Sequence, residues 1–362
     1  MSEYDKAFTT DGASLGEASD HLIHHLPILI LFPHNRCNCR CVMCDIWKIR
    51  QVREITAEDL KPHLDSFREL RVRWMVFSGG EPLMHSDLAS LARMCRDEGI
   101  RLTLLTAGLL LDRHAENVTR WMDDVIVSID GPPGVHDVVR CVPGAFTRLS
   151  AGVRELRRLR PQIPIHGRCT VQKSNFRYLR DTVRAAQTLS LNSISFLAAD
   201  TTSEAFNRPL GWPTARQESI ALDASEVGGL DLEISALIWD YQREIESGFI
   251  AETPEKLRRI ALHYRASLGQ TQNVSPHCNA PWVSAVVEAD GTVRPCFFHR
   301  PIGSIREASL RDVLNGKPAM KFRRELDVAE NPVCQKCVCS LYLAGEDLIL
   351  DKKPDGLRRI EA

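Results

Sequence analysis

Short apolar, β-branched runs alternate with longer segments of helical period through the first 200 residues. The candidate strands are residues 28–32, 73–78, 101–106, 124–129, 165–171 and 193–197. Between them, residues 56–70, 86–98, 112–122, 145–159 and 175–189 space their apolar side chains as amphipathic helices do. Thr56 followed by Asp59, Ser86 ahead of Leu88, and Asn175 ahead of Tyr178 and Leu179 are plausible helix starts. Such alternation predicts an α/β protein with a parallel sheet; pattern alone leaves an open doubly wound sheet as one arrangement. In a parallel sheet the functional residues gather at the C-terminal ends of the strands, where the connecting loops are free to vary.

Beyond residue 200 the pattern changes. Residues 200–223 are rich in Asp, Thr, Ser, Pro and Gly, and residues 230–250 and 254–268 read as helices. This stretch is expected to cap the mouth of the preceding unit or to bridge to the next. Residues 286–293 read as a hairpin turning at Asp290-Gly291. The expected organisation is an N-terminal extension (1–22), a core (23–199), a helical insertion or bridge (200–277), a small α+β domain (278–345) and a tail (346–362).

Composition excludes some classes. The 362 residues are 44% hydrophobic and 26% charged, an ordinary globular balance, and the formal net charge of −1 offers no footprint for nucleic acid. The apolar run at residues 23–32 is broken by His24, His25 and Pro27 and is far short of a membrane span. The first twenty residues are polar and acidic, without a secretory signal, so a cytoplasmic location is expected.

Twelve cysteines are the chain's most distinctive feature. In a protein expected inside the cell, clustered cysteines point to metal sites rather than disulfides. Cys37, Cys41 and Cys44 form C-x3-C-x2-C, a spacing that supplies three thiolates from one short loop and leaves room for a fourth, non-protein ligand. An apolar strand, residues 74–78, then runs into Gly79-Gly80-Glu81-Pro82.

With these two motifs the chain resembles the radical S-adenosylmethionine (SAM) enzymes. The resemblance implies a partial (β/α)6 TIM-type barrel, a 4Fe-4S cluster on Cys37, Cys41 and Cys44, and SAM bound to its open iron. In that family the reduced cluster cleaves SAM to methionine and a 5'-deoxyadenosyl radical that abstracts hydrogen from a substrate. An external one-electron reductant such as flavodoxin or ferredoxin is implied. Gly79, Gly80 and Glu81 would meet the SAM amino group. Ser128, in Val127-Ser128-Ile129-Asp130-Gly131-Pro132, and Arg140 would lie near SAM and its carboxylate. For Asp130-Gly131-Pro132 the plain alternative is a turn, and for Arg140 a solvated salt bridge. Arg168 stands inside a strand, where a charge is costly unless paired or facing a polar cavity, so it is expected either in the barrel mouth as a cofactor-binding residue or on an edge strand.

Cys278, Gly291, Cys296, Cys334 and Cys337 resemble the opening pattern of the auxiliary-cluster domains called SPASM and twitch. The resemblance implies one auxiliary 4Fe-4S cluster of the shorter twitch type on Cys278, Cys296, Cys334 and Cys337. Cys339 could replace Cys337, and structural zinc is the competing occupant. Cys39 has no assigned role. The expected reaction is oxidation of a small hydroxyl-rich metabolite, such as a sugar or aminocyclitol, because only 36 residues precede Cys37. The alternatives are epimerisation with Cys141 returning hydrogen, maturation of a ribosomal peptide, and a non-catalytic iron-sulfur electron carrier.

Overall fold

The computed structural model describes residues 21–344 except Val274. Most of the expected N-terminal extension and the tail from residue 346 lie outside the described residues.

Six parallel strands, β1 (Ile28–His34), β2 (Trp74–Gly79), β3 (Arg101–Thr106), β4 (Asp124–Ser128), β5 (Ile165–Val171) and β6 (Ser193–Ala198), follow one another across a sheet in sequence order. Each is linked to the next through helical segments, giving the six-unit partial barrel expected. Two of the strands, β3 and β5, occupy the expected residues, and the remainder differ by one or two positions at their ends.

Strand alternation sorts the side chains. Leu29, Leu31, Met75, Phe77, Leu102, Leu104, Val125 and Val127 pack outward into the main core beneath the helices. Ile28, Ile30, Val76, Leu105 and Ile126 face the lumen. The lumen turns polar toward β6, because register places Ser128 opposite Arg168 and Arg168 opposite Ser195 on one rung.

The C-terminal cysteines reach the barrel because their hairpin continues the same sheet. The strand β7 (Ser284–Val287) pairs parallel with β1, β8 (Thr292–Arg294) pairs antiparallel with β7, and β9 (Gly303–Ser304) completes nine strands. The turn falls where Asp290-Gly291 predicts it, with Gly291 at φ +93°. The outcome differs from a detached appendage: β7 buries the edge of β1 that an open six-stranded sheet would expose. Helices Pro133–Arg140, Leu310–Asn315 and Lys317–Glu325 were not anticipated.

Candidate active site

The loop of Cys37, Cys41 and Cys44 leaves β1 and is held from two sides. Underneath, the amides of Arg40 and Val42 donate to the carbonyls of Arg140 and Val139, at 3.2 and 3.0 Å. Those carbonyls end helix Pro133–Arg140 and have no partner within it, so the cysteine loop satisfies them. Above, residues 206–216 close over the loop. Asn207 and Arg208 donate to the carbonyls of Asp45 and Met43 at 2.9 and 3.1 Å, and the Trp212 indole donates to Asp45 Oδ2 at 2.8 Å. Arg208 pairs with Asp200 at 3.0 Å and stacks 4.0 Å from the Trp212 ring.

Gly79 and Gly80 are required by the chain itself. A Cβ on Gly80 would lie 2.1 Å from the Arg36 carbonyl oxygen, and one on Gly79, at φ +98°, would lie 2.6 Å from the Phe32 ring. The pair thus lets the end of β2 pass directly under the segment leading to Cys37. Glu81, expected to meet the SAM amino group, already has protein donors for its carboxylate. Its carboxylate is fully buried and accepts from Thr106 Oγ1 at 2.8 Å, Ala107 N at 2.9 Å and Leu83 N at 3.2 Å. Burial raises its pKa against the pull of these donors. The side chain ties β2 to the end of β3, while the backbone of Gly79 and Gly80 faces the cavity.

Cys37, Cys39, Cys41, Cys44, Gly79, Gly80, Ser128, Arg140, Arg168 and Arg208 line one cavity of about 240 Å³. Arg140 is buried, ion-paired with Asp130 at 2.5 Å, and its Nη1 lies 3.4 Å from Cys41 Sγ. The solvated salt bridge considered for it is therefore overturned. The Cys41 thiol is held below its ordinary pKa, first by a hydrogen bond from Cys39 and then, against burial, by Arg140. That favours the thiolate, the form that binds metal.

All five late cysteines, Cys278, Cys296, Cys334, Cys337 and Cys339, line a second cavity together with the apolar lumen residues of β1 to β4. Ser78, Leu105, Arg168, Phe297, Phe298 and Cys339 line both cavities and form their common wall. Arg168 thus faces the lumen, not an edge. Cys141 lies apart: it is exposed, sits in the left-handed conformation (φ +52°) after helix Pro133–Arg140, and is not among the lining residues of either cavity.

Comparison with known proteins decides the family. The radical SAM superfamily model matches residues 31–186, and the model of an iron-sulfur cluster-binding domain named SPASM matches residues 278–338. The chain is a radical SAM protein with a SPASM domain. It is 28% identical over 346 residues to the AdoMet-dependent heme synthase of Methanosarcina barkeri, covering 88% of the chain and 92% of the relative. It is 23% identical over 314 residues to the PqqA peptide cyclase of Granulibacter bethesdensis, covering 84% of the chain and 77% of that protein. In fold it is similar to SuiB of Streptococcus suis, solved with its precursor peptide SuiA (TM-score 0.63, 15% identity, 89% of the chain and 73% of SuiB).

The family carries a SAM-binding 4Fe-4S cluster and an auxiliary iron-sulfur cluster. The residues of this radical SAM protein fit both. Soft sulfur donors line each cavity, and each thiolate of a cubane would bind a different iron, so the donors need not converge on a single ion, and among the described residues they do not. Sequence reasoning missed Asp130 as the partner of Arg140, and the clamp of Arg208 and Trp212. The polar composition of residues 200–223 was the only signal for the latter.

Proposed function

We propose that this protein is an oxidative radical SAM enzyme that modifies a side chain of a peptide substrate. The observation that carries this reading is the wall shared by the two cysteine-lined cavities, an arrangement that suits one substrate position between the two groups. When bound, the first cluster and SAM supply a radical that removes a hydrogen atom, and the auxiliary cluster supplies an electron acceptor. Cys37, Cys41 and Cys44 would hold the first cluster; Cys278, Cys296, Cys334 and Cys337 would hold the second. The backbone of Gly79 and Gly80, with Ser128, would cradle SAM, and Arg140 would hold positive charge beside Cys41. A flavodoxin or ferredoxin would deliver the first electron.

The lumen argues against the hydroxyl-rich metabolite expected from the sequence. Along β1 to β4 the lining side chains Ile28, Ile30, Val76, Leu105 and Ile126, with Phe297, offer no hydrogen bonds, so a sugar lying against them would lose those it makes with water, and polar contacts come only from elsewhere on the wall, at Ser78, Arg168, Ser284, His299 and Ser340. An apolar side chain presented on a peptide suits that wall. The similarity to PqqA peptide cyclase over 84% of the chain supports the peptide. A second reading, a tetrapyrrole substrate, is favoured by the similarity to heme synthase over 88% of the chain. Epimerisation loses its proposed thiol with Cys141 exposed and outside both cavities.

The test is anaerobic turnover of the reconstituted enzyme with SAM and dithionite. 5'-Deoxyadenosine formation stimulated by peptides encoded beside the gene, with mass loss on the peptide, supports the first reading; stimulation by an iron porphyrin supports the second. No 5'-deoxyadenosine under any of these conditions overturns both and restores the electron carrier.

A further inference from the structure

The lumen holds a charge that the protein leaves largely uncompensated. Arg168 projects from the middle of β5 into the wall common to both cavities, among Leu105, Phe297 and Phe298. Its Nε donates to Ser195 Oγ at 3.3 Å, and its two terminal nitrogens make no hydrogen bond with the described residues. No carboxylate lies within ion-pair distance of it among the described residues. The other two arginines of the cavity are different: Arg140 is paired with Asp130 and Arg208 with Asp200. Glu252 is the carboxylate whose charge interacts with Arg168, only from beyond ion-pair distance, and the Cys339 thiol on the same wall interacts with it too.

The terminal nitrogens of Arg168 stay open to the cavity rather than sealed in protein, and the planar fork of a guanidinium matches a carboxylate through two parallel hydrogen bonds. Location separates Arg168 from the cofactor. Arg140 and Ser128 border the first cavity alone, whereas Arg168 also borders the cavity of the late cysteines. We infer that Arg168 is the specificity residue for a substrate carboxylate, holding it in the lumen between the two cysteine groups. The inference rests on the reading of this cavity as the substrate site and names the group the substrate must carry. An acidic peptide side chain and a porphyrin carboxylate share that chemistry.

Direct binding tests it independently of turnover. Holoenzyme loaded with SAM is titrated anaerobically, by calorimetry, with coproporphyrin III and its tetramethyl ester, and with the acetylated amide peptides Glu-Phe-Glu and Gln-Phe-Gln. At least one acid is expected to bind ten-fold or more tightly than its neutral counterpart, since hydrogen bonds to charged groups are worth about 1.5–3 kcal/mol. The arm that discriminates identifies the source of the carboxylate. Arg168→Gln is expected to bring the acid down to the affinity of its neutral counterpart, and Arg168→Lys to retain part of the difference. Wild-type enzyme that binds neither acid, or binds acid and neutral forms alike, overturns the inference. So does an Arg168→Gln enzyme that keeps the discrimination while its KM for SAM rises, which would assign Arg168 to the cofactor. Failure of the functional reading is a separate result, the absence of 5'-deoxyadenosine formation.

Discussion

Asp130 and Arg140 form a buried ion pair at 2.5 Å, and the same guanidinium reaches Cys41 Sγ at 3.4 Å. Asp130 also accepts from the Thr170 amide at 3.0 Å through its other oxygen. One carboxylate therefore joins β5, the helix Pro133–Arg140 and, through Arg140, the first cysteine loop. Removing one partner of a buried pair leaves an uncompensated charge, at a cost of about 3–5 kcal/mol. Asp130→Asn keeps the shape and loses the charge, so it is expected to lower unfolding stability by an amount in that range, read by chemical denaturation of the holoenzyme. A loss under about 1 kcal/mol would show that Arg140 does not depend on Asp130.

Glu81 provides a second test, because the structure gives it a different task from the one its motif implies. With its carboxylate enclosed by Thr106, Ala107 and Leu83, it is a bracket between β2 and β3. Thr106→Val removes a donor while preserving shape and leaves one carboxylate oxygen short of a partner. The expected loss is about 1–3 kcal/mol in unfolding stability, with no more than a two-fold change in the KM for SAM. A large rise in KM with stability unchanged would return Glu81 to the cofactor.

The clamp on the cysteine loop leads to a third expectation. Trp212 donates to Asp45 Oδ2 next to Cys44 and supports the ring face over which Arg208 stacks. Trp212→Phe keeps much of the ring and deletes the donor. Iron content after anaerobic reconstitution should fall from about eight atoms per chain toward four, because each cluster would hold four and the clamp holds only the loop of Cys37, Cys41 and Cys44. Retention of the full complement would show that residues 206–216 merely cover the loop.

How legible this was follows from the range of each interaction. Strands β3 and β5 and helix Ala145–Leu159 were readable to the residue because a parallel strand buried on both faces and an amphipathic helix imprint themselves on neighbouring residues. Cys37, Cys41, Cys44 and Gly79-Gly80 were readable because short motifs carry them. What escaped depends on partners distant in sequence. Trp212 meets Asp45 across 167 positions, and Arg140 meets Cys41 across 99. The helix Pro133–Arg140 was masked by Asp130-Gly131-Pro132 just ahead of it, which reads as a turn, although a proline such as Pro133 is well suited to the first turn of a helix. Glu81 is the opposite case: its motif is local, but the donors its carboxylate meets, Thr106 and Ala107 at the end of β3, are 25 and 26 positions away.

Glu252 gives the fourth expectation, one of pH. It follows the bridge between Ile250 and Ile194 of β6, is buried, and has one carboxylate oxygen, Oε2, without a hydrogen-bond partner. Burial pushes it up to about 7 from an ordinary 4.5, against the pull of backbone donors and of Arg168. A carboxylate raised in the folded state binds its proton more tightly there than in the unfolded chain. Its contribution to stability is therefore fully present below about 4.5 and is lost as the pH rises through about 7. Glu252→Gln lacks this dependence. The difference in stability between variant and wild type should move in favour of the variant from pH 5 to pH 8, by about 3 kcal/mol at most. Parallel pH profiles of the two proteins, measured by thermal unfolding, would mean that Glu252 is solvated or paired in a way its surroundings do not suggest.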